Sequence, residues 1–142
     1  MGRLADDIAE TARKLAEDLQ EQAGAPLDYS VESLGAVDGL LDDLGDYGLE
    51  ENALRNISIS AGCYVFETAR RNCGGEYPWL EKEGQPVLVA GRPEFSVGIK
   101  VWEKVRGRLE NGPEDSIPFY IQGYREHIAT GRTTPGYHVT IG

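Results

Sequence analysis

Apolar residues recur every three to four positions through much of this chain, which predicts helices. The spacing predicts a first helix over residues 3–22, ended by Gly24, and its apolar stripe comprises Leu4, Ile8, Thr11, Ala12, Leu15 and Leu19. A second helix is predicted from an N-cap at Ser30 to about residue 44. Gly35 and Gly39 lie inside it. Because glycine weakens a helix, we expect close helix packing to compensate at these two positions.

The third predicted helix is the longest and the least polar. It runs from about Glu50 to Cys73, and Gly74 and Gly75 end it. One face carries Leu54, Ile57, Ala61, Tyr64, Val65 and Thr68, and the opposite face carries Ile59, Cys63 and Phe66. A helix that is apolar on two faces is usually buried between two layers. We therefore expect this helix to be the centre of the fold.

Residues 77–99 change to the shorter pattern of strands. The segment 77–79 is predicted to be extended, 81–85 a hairpin loop, 86–91 a buried strand and 92–98 another short strand. Two further helices are predicted, one around residues 101–109 and one after a cap at Asp115 or Ser116. Alternation over residues 137–141 favours a strand that pairs with the hairpin, with a loose tail as the alternative.

These elements together predict one α+β domain, with about five helices, a long central helix and a small antiparallel β-sheet. Residues 1–24 are expected to be an acidic amphipathic helix, 25–131 the core domain, and 132–142 a tail or short strand. The apolar stripe of the first helix must be covered. We expect it to pack on its own domain or on a second copy, which would give a homodimer through this helix.

Charge is distributed unevenly along the chain. The net charge is −10, with 14 acids and 3 bases in residues 1–53, and 10 acids and 11 bases in residues 54–142. Nucleic acid is therefore not expected as a partner, because its phosphates would be repelled by the acidic half. Either the acidic helices simply face water, or they bind a basic protein. A basic stripe is formed by Lys100, Lys104 and Arg108. Either it faces water, or it pairs with the acidic helices of the same chain, or it docks an acidic partner.

The candidate chemistry lies on the third helix, at Glu67 and Arg71. They are four residues apart with the acid first, the favourable order for a helical ion pair. One interpretation is a partly wet salt bridge at the helix boundary. The other is a small polar site formed by Tyr64, Glu67, Arg71 and Trp79, in which a buried carboxylate transfers protons or a ligand binds.

The cysteines do not indicate a metal or disulfide site. Cys63 and Cys73 are ten residues apart on the predicted third helix, about 15 Å, whereas a disulfide needs Cα atoms within about 7 Å. Neither cysteine has zinc-ligand spacing with His127 or His138. We expect no metal and no cofactor, and a cysteine nucleophile with a distant histidine stays open as an alternative.

The chain also lacks the apolar run that a membrane span needs, and its first residues are too acidic for a secretion signal. We therefore expect no membrane association, and a cytoplasmic, bacterial protein.

Three quoted segments carry a resemblance to a family. In order they are "LDYSVESLGAVDGLL", "GCYVFETARRNCGGEYPW" and, after a strand, "VWEKVRGRLENGPEDSIPFY". This arrangement resembles small uncharacterised bacterial proteins of the DUF3806-like type over about residues 27–128. In those proteins a helix with a glycine–aromatic–glutamate core ends at paired glycines and an aromatic strand. The resemblance implies the architecture only, because that family has no established activity.

The function that these observations favour is non-catalytic. We expect an acidic binding or interaction protein, such as an adaptor, inhibitor or immunity-type partner, which docks on a basic surface. Its target is unknown. The alternative is a small enzyme or ligand sensor with a polar pocket around Glu67 and Arg71. A concave pocket at these two residues would favour the alternative, and a fully paired strip would favour the interaction protein.

Overall fold

The computed structural model describes residues 3–80 and 84–141. The helices are α1 (Arg3–Ala23), α2 (Ser33–Gly45), α3 (Glu51–Cys73), α4 (Val101–Asn111) and α5 (Ile117–Thr133), with a 3₁₀ turn at Gly112–Asp115. The strands are β1 (Trp79–Leu80), β2 (Gln85–Pro86), β3 (Leu88–Ala90), β4 (Ser96–Ile99) and β5 (His138–Ile141). The predicted α+β class and the long central helix are confirmed. The predicted hairpin loop falls largely on residues 81–83, which lie outside the described residues.

Helix α3 is the centre of the fold. It packs mainly on α1 and on α4, and every residue from 61 to 69 is buried. Both apolar faces predicted from the sequence are therefore covered, as expected for a helix between two layers. Gly74 ends the helix with a φ of +79°, a left-handed conformation that glycine adopts readily.

The main sheet is mixed, not antiparallel as predicted. Its strand order is β3-β4-β5, with β4 antiparallel to β3 and parallel to β5. A parallel pair needs a long crossover connection, and α4 and α5 provide one between β4 and β5. The predicted strand over 86–91 is divided: β2 pairs with β1, and β3 pairs with β4. The predicted strand near the chain's last residues is β5.

The start of the second helix was predicted too early. Residues 31 and 32 form a turn, and α2 begins at Ser33. The Ser30 hydroxyl still accepts a hydrogen bond from the Ser33 backbone N–H, at 3.1 Å. The predicted cap for α5 is confirmed at Ser116, whose side chain accepts from the Phe119 N–H.

The apolar stripe of α1 packs against the rest of the same chain. Ile8, Ala12 and Leu15 are buried, and α1 packs chiefly on α3. Of the two expected ways to cover this stripe, the structure uses the helix's own domain. No helix in the described ranges is both long enough and apolar enough to cross a lipid bilayer.

Close helix packing occurs at a different glycine from those predicted. A Cβ added at Gly35 or Gly39 would meet nothing within 4 Å, so the predicted compensation at these positions is wrong. At Gly62 of α3, an added Cβ would lie 2.7 Å from Cδ1 of Trp102. The α3–α4 contact therefore depends on the missing side chain at Gly62.

We expect Gly39→Ala to stabilise the protein by about 0.5–1 kcal/mol, because it adds helix propensity in open space. Gly62→Ala should destabilise it by about 1–3 kcal/mol, because the methyl group would overpack the Trp102 contact. Urea denaturation of both variants and the parent measures the two effects. Equal stability changes at the two sites would contradict the packing described for α3 and α4.

Candidate functional site

Glu67 lies on α3 with only 1% of its surface exposed, and its carboxylate is fully engaged. Arg70 donates from Nε to Oε1 at 2.9 Å and from Nη2 to Oε2 at 3.0 Å. Arg71 donates from Nε to Oε2 at 3.4 Å, and the Tyr77 hydroxyl donates to Oε1 at 3.0 Å. We call Glu67, Arg70, Arg71 and Tyr77 the Glu67 cluster. Two cations and a phenol thus surround one buried anion.

The partners keep Glu67 charged despite its burial. Burial raises the pKa of Glu67. The hydrogen bonds from Arg70, Tyr77 and Arg71 together lower it by more, so the pKa of Glu67 lies below its ordinary value. Burial, and then the neighbouring Glu67 charge, raise the pKa of Tyr77. At neutral pH the cluster therefore holds an ionised carboxylate and a protonated phenol.

An aromatic stack extends the Glu67 cluster towards α2. The Arg71 guanidinium lies 3.7 Å from the centroid of the Tyr29 ring, and Tyr29 stacks on Tyr64 with centroids 4.9 Å apart. The Tyr64 hydroxyl accepts from the Tyr29 N–H at 3.0 Å and is 2.7 Å from Oγ of Ser33. Tyr29 has a φ of +64°, which non-glycine residues seldom adopt. These contacts hold the loop between α1 and α2 onto α3.

The geometry of the Glu67 cluster leaves the carboxylate little chemical freedom. Each of its oxygens already accepts two hydrogen bonds. A depressed pKa also means that Glu67 has no proton to give at neutral pH. An acid or base role would first require Arg70, Arg71 or Tyr77 to leave. The arrangement is suited to fixing α3, its following segment and the α1–α2 loop to one another.

The predicted site residues are only partly brought together. Glu67 and Arg71 are in contact, and Tyr64 reaches Arg71 through Tyr29. Trp79 is 48% exposed in β1, and none of the contacts described for Glu67 or Arg71 involves it. The expected partly wet boundary is wrong for Glu67, which is fully buried because Tyr77 and two arginines cover it.

Sequence reasoning missed three members of this assembly. Arg70 lies three residues after Glu67, and the i, i+3 spacing is a signal that could have identified it. Tyr29 and Tyr77 lie in segments outside the helix. Helical periodicity cannot place them, because their positions depend on how loops fold back on α3.

The two thiols are free, and their surroundings do not activate them. Burial, with a smaller effect of Glu67, raises the pKa of Cys63 to about 12. Burial also raises the pKa of Cys73. A nucleophilic cysteine needs a lowered pKa, so neither environment favours that chemistry. Within residues 3–80 and 84–141, no group of three histidine, cysteine, aspartate or glutamate side chains is arranged to hold a metal ion.

A second buried ion cluster joins α2, α4 and α5. Arg108 is only 4% exposed; its Nε donates to Oδ1 of Asp38 at 2.9 Å, and its Nη2 donates to Oδ1 of Asp42 at 3.2 Å. Asp38 Oδ1 also accepts from the Ile117 N–H at the start of α5, at 2.9 Å. Lys104 pairs with Asp115 at 3.2 Å. Of the predicted basic stripe, Arg108 is thus the internal match to an acidic helix, α2, whereas the partner of Lys104 lies in the 3₁₀ turn before α5.

A serine–histidine pair occurs on the main sheet, at the surface. Ser96 Oγ lies 2.7 Å from Nδ1 of His138, and the two residues are opposite one another in the β4–β5 register. Within the described part of the chain, no carboxylate bonds to His138. The pair lacks the third group that orients a catalytic histidine, and its geometry is that of a cross-strand contact.

Among the shallow clefts formed by described residues are four that are not lined by Glu67 or Arg71. The largest, about 610 Å³, lies at Phe95 and Pro135, and another of about 400 Å³ lies between Cys73 and Arg125. The other two, about 470 Å³ and 320 Å³, lie beside α1 and beside Gly45. None of these clefts gives a ligand access to the Glu67 cluster.

No family model matches this chain. Comparison with curated proteins and with solved structures also found no match. The resemblance to DUF3806-like proteins therefore stays a prediction.

Proposed function

We propose that this chain is a non-catalytic interaction protein whose acidic half docks on a basic protein. The observation that supports this proposal is the division of its charges into paired and unpaired sets. Both buried ion clusters, around Glu67 and around Arg108, use their charges inside the fold. The acids left over are on the surface.

The surplus acids are concentrated in residues 1–53. Of the 14 acids there, five pair with arginine: Glu10 and Glu17 with Arg13, Asp38 and Asp42 with Arg108, and Glu51 with Arg106. The other nine have no basic partner among the described residues, and all nine are exposed: Asp6, Asp7, Asp18, Glu21, Asp28, Glu32, Asp43, Asp46 and Glu50. Such a surface speeds association with a basic partner and discriminates against acidic ones.

Partner capture from a lysate of the source organism, with charge-neutralised variants, tests this function. One triple variant neutralises acids at the end of α2 and in the loop after it: Asp43→Asn, Asp46→Asn and Glu50→Gln. A matched control neutralises three exposed acids of the charge-balanced half: Glu76→Gln, Glu94→Gln and Glu114→Gln. Both variants remove three negative charges, so the net charge is the same and the position of the lost acids differs.

We expect the first variant to lose a basic protein that wild type and control both retain, as identified by mass spectrometry. The affinity of the purified pair should also fall as salt rises, because exposed charges are screened. Equal capture by all three proteins would contradict the proposal. A small molecule that co-purifies with wild type and is lost on substitution at Glu67 would support the alternative, a ligand sensor.

A further inference from the structure

Strand β5 leaves one side of the main sheet open among the residues that the structure describes. In the order β3-β4-β5 it is an edge strand, and at the other edge β3 is bridged by Glu76. His138 and Thr140 are exposed, while Val139 and Ile141 are half-buried against the core. Open edges attract further strands, and proteins that keep them free use very short strands, lysine, proline or a bulge. β5 is short, at four residues, but it carries no lysine, no proline and no bulge.

The hydrogen bonds to β4 show which backbone groups face outwards. Ser96 N–H donates to the Tyr137 carbonyl at 2.9 Å, and Lys100 N–H donates to the Ile141 carbonyl at 3.3 Å. In a parallel ladder, alternate residues of a strand bond to the same neighbour. Tyr137, Val139 and Ile141 therefore face β4. The N–H and C=O groups of His138 and Thr140 point to the open side.

These four outward groups complement themselves under two-fold symmetry. An antiparallel second copy with its Val139 opposite Val139 places each His138 opposite a Thr140, and each such pair exchanges two hydrogen bonds. On the core-facing side, the same register places Tyr137 opposite Ile141 and Val139 opposite itself. Every cross-strand neighbour on that side is apolar or aromatic, and no like-charged pair arises anywhere in the register.

Helix α5 reaches the end of β5 through one side chain. The Tyr120 hydroxyl donates to the Ile141 carbonyl at 2.8 Å, while among the strands α5 packs chiefly on β4. Ile121 follows Tyr120 by 100° around the helix and is buried in the core. Phe119 precedes Tyr120 by 100°, on the opposite flank, and is 79% exposed. Phe119 therefore lies on the side of α5 that is turned away from the core.

The charge distribution favours a second copy at this edge. Residues 54–142, which include β4, α5 and β5, hold 10 acids and 11 bases, so two such halves meet with little repulsion. The surplus acids lie in residues 1–53. We propose that two copies of this chain associate through antiparallel β5–β5 pairing centred on Val139, which forms one continuous six-stranded sheet. The acidic half stays free to bind a partner.

Hydrogen exchange at two protein concentrations tests this proposal on the unmodified chain. From about 5 µM to about 500 µM, we expect exchange at the His138 and Thr140 amides to slow at least about tenfold. The Val139 and Ile141 amides bond to β4 and should be protected equally at both concentrations. Sedimentation equilibrium over the same range should show a monomer–dimer transition. A monomer at every concentration, or a dimer without this alternating protection, overturns the proposal.

Substitutions then test the register. Thr140→Pro removes an outward N–H and no bond to β4, so it should abolish the dimer, whereas Thr140→Val should retain it. In a Cys73→Ser background, Val139→Cys should crosslink to itself under oxidation, because the two Val139 residues face each other across the symmetry axis. Thr140→Cys, which lies opposite His138, is the matched control. Preferential crosslinking at position 140, or a dimer that survives Thr140→Pro, contradicts the pairing. In a further arm of the hydrogen-exchange experiment, an unrelated strand-forming peptide is added to the monomer. If the His138 and Thr140 amides become protected only then, the partner of β5 is another chain and the proposal is also contradicted.

Discussion

Replacing Asp38 with alanine should lower the free energy of unfolding by about 3 kcal/mol, because it leaves a buried arginine without its main partner. Arg108 is 4% exposed, and its Nη1 already lacks a hydrogen-bond partner within the described structure. Asp38 is itself 20% exposed and also accepts the first N–H of α5. Its loss therefore removes an ion pair and a helix-start contact together.

Asp42 provides a matched control for this substitution. It bonds to the same arginine at 3.2 Å, but its side chain is 54% exposed. Solvent screens such a pair, so Asp42→Ala should cost only a small fraction of the Asp38→Ala effect. Urea denaturation of both variants gives the comparison. If the two variants lose similar amounts of stability, the burial of Arg108 and Asp38 does not make their ion pair more stabilising than an exposed one.

The second large effect is expected at Glu67. Glu67→Gln should destabilise the protein by about 2–3 kcal/mol, because two arginines and a tyrosine lose their anionic acceptor inside the fold. This cost is smaller than the roughly 3–5 kcal/mol of a fully buried pair that loses one partner, since Arg70 and Arg71 are themselves partly exposed and water can solvate them. The amide nitrogen of glutamine would also face an arginine donor. From the sequence alone, a partly wet salt bridge would have predicted only a small cost.

Glu10→Gln is the control for the loss of a helical arginine pair as such. Glu10 pairs with Arg13 at the i, i+3 spacing that also joins Glu67 to Arg70, but on the exposed face of α1. We expect little change in the urea midpoint for Glu10→Gln and a clear decrease for Glu67→Gln. The comparison shows whether an i, i+3 arginine pair accounts for the cost, or whether burial and the further bonds from Arg71 and Tyr77 are needed.

The burial of α3 could be predicted from the sequence, and the surroundings of Glu67 could be predicted only in part. Two apolar faces on one helix require two covering layers, so the central position of α3 follows from local spacing. The Glu67–Arg71 pair follows from the same spacing. The contribution of Tyr29 does not, because it depends on a loop with a left-handed residue that returns to stack on Tyr64.

Strand pairing between distant segments is the second feature that could not be predicted from the sequence. Alternation over residues 137–141 predicts a strand, but neither its partner nor its direction. Helices α4 and α5 connect β4 to β5, and how they pack decides whether β5 returns parallel to β4. The same applies to Gly62. A glycine inside a helix indicates a close approach or a weak point, and only the position of Trp102 shows which of the two it is.

The most direct test of the account is the pH dependence of the stability difference between wild type and Glu67→Gln. The folded pKa of Glu67 lies below its ordinary value of 4.5. Its stabilising effect is therefore fully present above about pH 4.5 and is lost as the pH falls through the lower, folded pKa. Measured by melting from pH 7 to pH 3, the wild type should be the more stable protein at neutral pH, and the difference should narrow below about pH 4.5. If Glu67→Gln were as stable as wild type at pH 7, the stabilising role of the Glu67 cluster would be contradicted. If the variant were clearly more stable, the carboxylate would be a strained, functional group, and the interaction-protein account of this fold would be contradicted.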